Sequence, residues 1–246
     1  MTLEGAKVIG VAEINPYSAG LNRNIQQCLL DLNIPLYLSH TVKQIIGKSH
    51  VEKIVLAKVD EKFNFIPGTE IEFECDTLLL SIGLIPYTAL LSKTGMTFSK
   101  TKGANVNQAM ETDIPGIFSA GNALHVHDVV DYVVAEAKEA AVGAIKYLNG
   151  QLNNSNNKID IIPSFGINYV IPQKLYIDEA DEIVTFKFRV NKPYKDINIL
   201  FIFNGEIIKK IYKTAIIPSE MEMINISKSL FKNNNGQLVI KIEEKK

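Results

Sequence analysis

A turn, a short apolar run and a pair of small polar residues at 112–122 constrain the fold of this chain more than any other stretch. A turn is predicted at 115–116, and the apolar run at 117–120 is typical of a parallel strand buried on both faces. Gly121 and Asn122 follow where that strand should end. Ligands of open α/β sheets bind at this edge, so we expect Gly121 to admit a ligand and Asn122 to hydrogen-bond it.

A helix is predicted downstream of this pair, from about residue 129 to residue 148. Asp128 is placed to cap its N-terminus, and Asn149 and Gly150 to end it. Its apolar residues fall on or near one face and include small alanines, which favours close packing on a sheet. The positive end of the helix dipole would then face the strand edge, which suits an electron-rich or anionic ligand group.

This pattern resembles the second flavin-binding motif of the two-dinucleotide-domain flavoproteins, the pyridine nucleotide-disulfide oxidoreductase superfamily. In that family a Thr, an apolar strand and a Gly-Asp pair place an acid on the ribityl chain of FAD. Here Asn122 stands in the place of the acid and carries no charge. Residues 120–128 look most like a branch near the sarcosine oxidase alpha and hydrogen cyanide synthase flavoproteins. The alternative is an ordinary buried strand and turn.

Two further segments fit the same resemblance. Residues 76–86 predict a continuously apolar strand that ends near Gly83, similar to the family's return strand to the FAD domain, with Tyr87 in place of the customary Asn. Residues 6–13 predict a strand that ends in Glu13, where the acid that binds the adenosine ribose of NAD belongs in a Rossmann unit. The alternatives are any buried parallel strand for the first segment and a solvated carboxylate for the second.

His125 and His127 alternate with apolar residues just after Asn122, so on an extended segment they would face the same side. Near the isoalloxazine ring a histidine could donate to the flavin or move a substrate proton, which makes both residues catalytic candidates. A metal pair and a purely structural role are the alternatives. No third ligand is evident nearby apart from Asp128 or Asp131, and we predict no metal site.

The remaining pattern predicts the fold class α/β, with incomplete Rossmann-like FAD/NAD(P)-binding domains followed by a small antiparallel β-sandwich of immunoglobulin-like type. Before residue 76 a helix is expected at 22–32, with Cys28 as a buried thiol, then a strand at 34–39 and three antiparallel strands within 41–74. The predicted divisions are a partial NAD(P)-binding domain at 1–75, the end of the FAD-binding domain at 76–150, a polar linker at 151–158 and the sandwich at 159–246. Three tyrosines of the sandwich are expected at core or edge positions: Tyr169, Tyr176 and Tyr194.

Composition excludes several classes of protein. The 26 Lys and Arg residues balance 27 Asp and Glu residues, which argues against a nucleic-acid partner. No apolar run has membrane-spanning length, and no secretory signal opens the chain. Cys28 and Cys75 form no Cys-x-x-Cys pair, so disulfide redox chemistry is not expected, and a reduced, cytoplasmic setting is.

Two functions are predicted. By resemblance, the chain is a fragment or subunit of an oxidoreductase that passes electrons between NAD(P)H, FAD and a substrate or partner protein. The glycine-rich turns of both nucleotide-binding units lie outside this sequence, so we expect an N-terminal truncation or a complementary flavoprotein subunit, and an isolated chain that is inactive and binds neither cofactor tightly. The alternative is a non-catalytic remnant that binds a partner through its C-terminal β domain. Glu13 favours NAD over NADP, and the substrate is not specified.

Overall fold

The computed structural model describes three ranges of the chain: 1–153, 155–232 and 235–244. The chain forms two compact units, Met1–Ile82 and Gly83–Lys246. The predicted linker at 151–158 includes a residue outside the described ranges. So do residues 233–236, whose Asn and Gly content predicts a turn. The predicted domain boundaries stay predictions.

The first unit contains two short parallel strands connected through a helix, the local arrangement expected of a Rossmann unit. Strand β1 (Val11–Glu13) pairs with β2 (Leu36–Leu38). Helix α1 (Asn22–Ile25) continues into a π-helical turn at Gln26–Leu30. The predicted order of strand, helix and strand is therefore present, although each strand is shorter than expected.

Cys28 is exposed, which corrects the prediction of a buried thiol. In the π-helical turn the N–H of Asp31 donates to the carbonyl of Gln26, five residues earlier. The wider turn changes which side chains face inward, and Leu29 is the residue that it buries.

Three antiparallel strands follow, as predicted. They are β3 (His40–Ile46), β4 (Lys53–Lys58) and β5 (Ile71–Glu74), in the order β3-β4-β5. The central strand buries Val55 and Leu56. Alternation within each strand and the turns between them are local signals, which is why the sequence predicts this sheet well.

Residues 76–86 form no strand, which corrects the predicted return strand. Leu79 is 63% exposed and Ile82 is 89% exposed. Gly83 has a φ of 98°, and a Cβ there would meet no atom within 4 Å. A continuously apolar parallel strand is stable when strands flank it and other layers cover it, and no strand in the described ranges pairs with this segment.

Residues 117–120 also lie outside any parallel strand, a second correction. Phe118 makes a single antiparallel bridge with Glu111, and the chain then enters a 3-10 turn at Gly121–Ala123. Asn122 therefore does not stand at the end of a parallel sheet. The reason is the same, because no strand in the described part of the chain lies alongside to complete such a sheet.

Helix α2 (Val130–Leu148) confirms the predicted helix, and Gly150 follows its end with a φ of 68°. Its N-cap residue is Val129, which makes no side-chain capping bond. Asp128 does not cap the helix as predicted, because its carboxylate binds Arg189 instead.

The apolar face of α2 points to solvent, contrary to the expected packing on a sheet. Six residues on this face are exposed: Val130, Val134, Ala137, Ala141, Ile145 and Leu148. Buried instead are Glu136 and Gly143. A Cβ on Gly143 would lie 2.0 Å from the carbonyl oxygen of Ala109, so the helix approaches that backbone closely on its buried face.

Within the described ranges, the second unit contains eight strands in two sheets. The strands are β6 (Lys158–Pro163), β7 (Ile167–Ile171), β8 (Lys174–Tyr176), β9 (Ile183–Val190), β10 (Tyr194–Phe203), β11 (Glu206–Ile216), β12 (Glu222–Ser227) and β13 (Gly236–Glu244). Their orders are β11-β10-β13-β6-β8 and β12-β9-β7. The pair β13–β6 is parallel, which corrects the expectation of a wholly antiparallel arrangement. Strands far apart in sequence can pair in parallel because the chain between them is long enough to cross over.

The main core of the second unit draws side chains from both sheets. Phe186 and Phe188 of β9 contact Phe201 of β10, with ring centroids 5.9 and 6.4 Å apart. An Asn-Gly pair between two alternating segments predicts a hairpin turn, and Asn204 and Gly205 do connect β10 to β11, with φ of 49° and 88°. The chain is thus a sheet-rich α/β protein. The described part of the chain also forms five short 3-10 turns: Thr2–Glu4, Leu91–Lys93, Gly121–Ala123, Ile177–Glu179 and Lys228–Phe231.

Candidate functional site

The predicted flavin-motif pair opens a segment that we call the 121–128 segment. Gly121 is buried with a φ of 63°, and a Cβ there would lie 3.0 Å from Val133. Its N–H donates to Glu136 over 2.7 Å. Asn122 is exposed, and its side-chain oxygen accepts the backbone N–H of His127 over 3.1 Å. Only Asn122 of the pair is therefore accessible to a ligand from solvent.

His125 and His127 face the same side, as predicted, with ring centroids 4.3 Å apart. Their side chains are 0% and 1% exposed. Each ring places Nε2 3.0 Å from a different oxygen of the Glu136 carboxylate. Both rings are thus enclosed by protein around a single buried acid.

Glu136 accepts four donors, which saturates its carboxylate. The two histidines are joined by the N–H of Gly121 and by Nζ of Lys187, the latter 3.1 Å from Oε1. Burial opposes ionisation of Glu136, but the hydrogen bonds from His125 and His127 outweigh it and hold the pKa of this carboxyl well below its usual range. Lys187 is 3% exposed at its side chain and also binds Glu139 over 2.7 Å.

A second chain of contacts leads from β9 to His125 through β7. Arg189 donates from Nε to the hydroxyl of Tyr169 over 3.1 Å, and that hydroxyl lies 3.2 Å from Nδ1 of His125. Because the tyrosine oxygen already accepts from arginine, its proton is free to donate to Nδ1. We therefore assign His125 as the neutral tautomer protonated at Nε2, which in turn donates to Glu136.

The surroundings of His125 favour this neutral form. Burial lowers the pKa of His125 below its ordinary value, and the nearby positive charge of Lys187 adds to that effect, against the attraction of Glu136. Burial likewise raises the pKa of the Tyr169 hydroxyl. Arg189 stays charged and anchors the segment by binding Asp128 and the carbonyl of Val126.

Three potential metal ligands meet here, namely His125, His127 and Glu136, whose ligand atoms lie within 4.8 Å of one another. In the assigned tautomer Nε2 of His125 carries a proton, and the carboxylate lone pairs already accept Lys187 and Gly121 as well. A cation bound between them would have to displace these donors. The arrangement is that of a hydrogen-bonded buried carboxylate.

Glu13 and Gly83, the other predicted cofactor contacts, lie elsewhere. Glu13 ends β1, as predicted, and its Oε1 accepts the backbone and side-chain nitrogens of Asn15, each over 2.9 Å. Its Oε2 accepts the N–H of Ala19 over 3.3 Å. The acid thus organises the loop after its own strand, whereas Gly83 lies in the exposed segment described above.

Sequence reasoning missed the acid and the two basic residues at the centre of the cluster. Lys187 and Arg189 alternate with Phe186 and Phe188 in β9, a pattern that predicts solvent exposure for the charged pair. In the folded chain Lys187 instead meets Glu136 of α2. The available signal was a pair of basic residues on one strand face together with carboxylates on a helix. Tyr169 was expected in the core, where it lies, 7% exposed.

A cleft of about 380 Å³ adjoins the cluster. Its lining includes Lys138 and Glu139 from α2 and Thr185 from β9. Glu139 connects the cleft to the cluster, because the same carboxylate holds Lys187.

The fold and the cluster define an α/β protein whose first unit ends a parallel strand with an acid and whose second unit carries a glycine-asparagine turn before a long helix. The sequence profile described as "Pyridine nucleotide-disulphide oxidoreductase" matches residues 10–144. The chain belongs to this family.

Curated relatives resemble only part of this chain. The glutamate synthase [NADPH] small chain of Mycobacterium tuberculosis is 31% identical over 94 residues, 37% of this chain and 19% of that protein. An NADH oxidase of Methanocaldococcus jannaschii is 26% identical over 132 residues, 54% of this chain and 26% of that protein. The chain thus spans well under half the length of these relatives.

Solved structures also align with only part of this chain. A FAD-dependent pyridine nucleotide-disulphide oxidoreductase from Desulfovibrio vulgaris aligns with 78% of this chain and 47% of its own, at 15% identity and a TM-score of 0.41. A thioredoxin reductase from Streptococcus pyogenes aligns with 60% of this chain and 47% of its own, at 19% identity and a TM-score of 0.34.

Among the described residues, no helix combines the length and the apolar character that a membrane span requires.

Proposed function

We propose that this chain is a component of an FAD-dependent oxidoreductase in which electrons pass between NAD(P)H, the flavin and a substrate or partner protein. The observation that carries the proposal is the family match over residues 10–144, which includes both Glu13 and Asn122. Bound flavin would supply the electron-transfer chemistry, and the residues of this chain would bind and orient it.

Only some residues of the 121–128 segment are available to contact FAD. Asn122 offers an exposed amide where the family pattern has an acid, and it suits a hydrogen bond to a ribityl hydroxyl. Gly121 has no N–H to offer, because Glu136 accepts it. His125 and His127 are enclosed, so the catalytic roles predicted for them give way in this proposal to holding the segment in place.

The nucleotide would be held in the first unit. Glu13 ends a parallel strand and its carboxylate accepts backbone N–H donors, and an acid in this position disfavours the ribose phosphate of NADP. We therefore propose NAD as the preferred nucleotide. Gly83 remains a proposed contact at the edge of the flavin site.

A complementary flavoprotein chain is the proposed partner. The six exposed apolar residues of α2 form a continuous face with the helical spacing that packs on a sheet. Leu79 and Ile82 are exposed as well. A partner that supplies parallel strands would cover such surfaces and add the glycine-rich turns that bind phosphate.

Titration of the purified chain with FAD, followed by flavin fluorescence, tests the flavin role. We expect weak binding that Asn122→Ala weakens and Asn122→Asp strengthens, each about fivefold, because one hydrogen bond contributes about 1 kcal/mol. Gln151→Ala, which removes another exposed amide of the same unit, is the matched control and should bind as the wild type does. Equal affinities for all four proteins would refute the role of Asn122.

A non-catalytic interaction protein is the second candidate. The enclosure of Gly121 and both histidines around Glu136 favours it, because the segment is held without any cofactor. In that case the C-terminal sheets would bind the partner. The fold of the chain is first verified by circular dichroism. If the folded chain then binds no FAD at any concentration tested, the result would favour the non-catalytic function.

The proposal also includes a branch of the family and a cellular setting. We propose that the chain lies near the sarcosine oxidase alpha and hydrogen cyanide synthase branch, which residues 120–128 resemble. Both cysteines are free thiols, which supports a reduced, cytoplasmic setting.

A further inference from the structure

The C-terminal sheets reach the 121–128 segment through two separate buried paths. One path runs from Lys187 to Glu136 and on to the N–H of Gly121. The other runs from Arg189 through Tyr169 to His125. Strand β9 supplies the basic residue of both paths, so a single strand holds the start and the middle of the segment.

These contacts are specific in a way that apolar packing is not. A carboxylate whose lone pairs are all used holds its donors in one arrangement. Any other arrangement would leave a buried donor without an acceptor, which costs folding free energy. Gly121 and Asn122 are adjacent, so a shift of the buried N–H of Gly121 also moves the exposed amide of Asn122. The backbone N–H of His127 holds that amide from the other side.

We propose that Lys187 and Arg189 are positioning residues through which the C-terminal sheets hold the 121–128 segment and fix His125 as the neutral Nε2–H tautomer. The inference deepens the proposed function, because this segment carries Asn122. The C-terminal sheets are then a structural part of the ligand-binding edge.

The charges around His125 determine what its titration should show. The titratable or charged groups in the hydrogen-bonded cluster around it are Glu136 and Glu139 on α2, His127 and Asp128 on its own segment, Tyr169 on β7, and Lys187 and Arg189 on β9. Lys187 disfavours a second positive charge nearby, so replacing it with a neutral residue should allow His125 to accept a proton at a higher pH.

Nuclear magnetic resonance of the full chain without added flavin tests the inference. In the wild type, ¹⁵N shifts of His125 should show the neutral Nε2–H form across the neutral pH range. In Lys187→Met, His125 should protonate at a higher pH, and the Gly121 amide should exchange with solvent about tenfold faster. Lys187→Arg should restore the wild-type signature, because it retains the charge. Lys138→Met, an exposed lysine of α2, is the matched control and should match the wild type.

Unchanged His125 titration and unchanged Gly121 exchange in Lys187→Met would overturn the proposal. If that variant does not fold, Tyr169→Phe serves instead, because it removes one hydroxyl and keeps the ring. Loss of the donor to Nδ1 should again raise the pH at which His125 protonates, and an unchanged titration would refute the second path. Because no flavin is present, these results are independent of the FAD titration that tests the proposed function.

Discussion

Residues 76–86 and strand β9 reverse the usual relation between polarity and burial. The first segment is apolar, yet Leu79 and Ile82 are largely exposed. The second carries Lys187, which is 3% exposed at its side chain, and Arg189, which is 14% exposed. The difference lies in what each segment meets in the fold, since β9 faces matching carboxylates, whereas no strand in the described ranges pairs with 76–86.

The comparison teaches that burial requires a complementary layer. Charged side chains are buried at tolerable cost when partners satisfy them, as Glu136 and Glu139 do for Lys187. Apolar side chains stay exposed when no second surface is available to cover them. Three predictions test this difference, beginning with the largest expected effect.

Removal of the central acid should have the largest effect. Glu136→Ala removes one of the two carboxylates that bind Lys187 and takes the acceptor from three further donors, so we expect a loss of about 3–5 kcal/mol in the free energy of unfolding. Urea denaturation measures it. Lys138→Ala, on the exposed side of the same helix, should change stability by less than about 0.5 kcal/mol. A similar small change in Glu136→Ala would mean that the buried charges of β9 do not depend on this acid.

The pH dependence of stability gives a smaller effect. The pKa of His125 is lowered from 6.5, mainly by burial, and the pKa of Glu136 is lowered from 4.5 by hydrogen bonds that outweigh burial. Both contributions are therefore fully present at neutral pH, and they decrease as the pH falls below 6.5 for the histidine and below 4.5 for the acid. We expect the free energy of unfolding to fall by about 1–3 kcal/mol between pH 7 and pH 4.

Urea denaturation at a series of pH values measures this fall. Glu136→Gln should show a weaker decrease below pH 4.5, because its side chain does not titrate there. A wild-type stability that is flat from pH 7 to pH 4 would contradict the assignment of a neutral His125 beside an ionised Glu136.

The smallest effect is expected in the exposed apolar segment. Leu79→Ser should change the stability of the isolated chain by less than about 0.5 kcal/mol, because the side chain is already in water. Leu175→Ala, at a fully buried position of β8, should cost about 2–5 kcal/mol and serves as the contrast. A large loss in Leu79→Ser would show that residues 76–86 are covered in solution.

Much of the fold could be predicted from local pattern. The sheet of β3, β4 and β5, the hairpin at Asn204 and Gly205, and the extent of α2 all follow from alternation, turn residues and helical periodicity. The strands predicted at 76–86 and 117–120 could not be judged in the same way, because a parallel strand depends on neighbours that are distant in sequence.

The candidate site was predicted only in part. Sequence singled out Gly121, Asn122 and both histidines, because small and polar residues after an apolar run are unusual enough to notice. It did not single out Glu136, which is one of several charged residues of α2, along with Asp131, Lys138, Glu139 and Lys146. Nor did it connect Lys187 with a helix about fifty residues earlier, since a basic residue in an alternating strand predicts solvent contact.

By itself the sequence determined the helix α2, the sheet of β3, β4 and β5 and the family that the chain resembles, because periodicity, turn chemistry and motif spacing are properties of neighbouring residues. Only the tertiary structure decided which face of α2 is buried and which charges meet there. Burial depends on the surfaces that pack against each other, and a carboxylate, two imidazoles and an ammonium group can share one buried site only when the fold brings all four together.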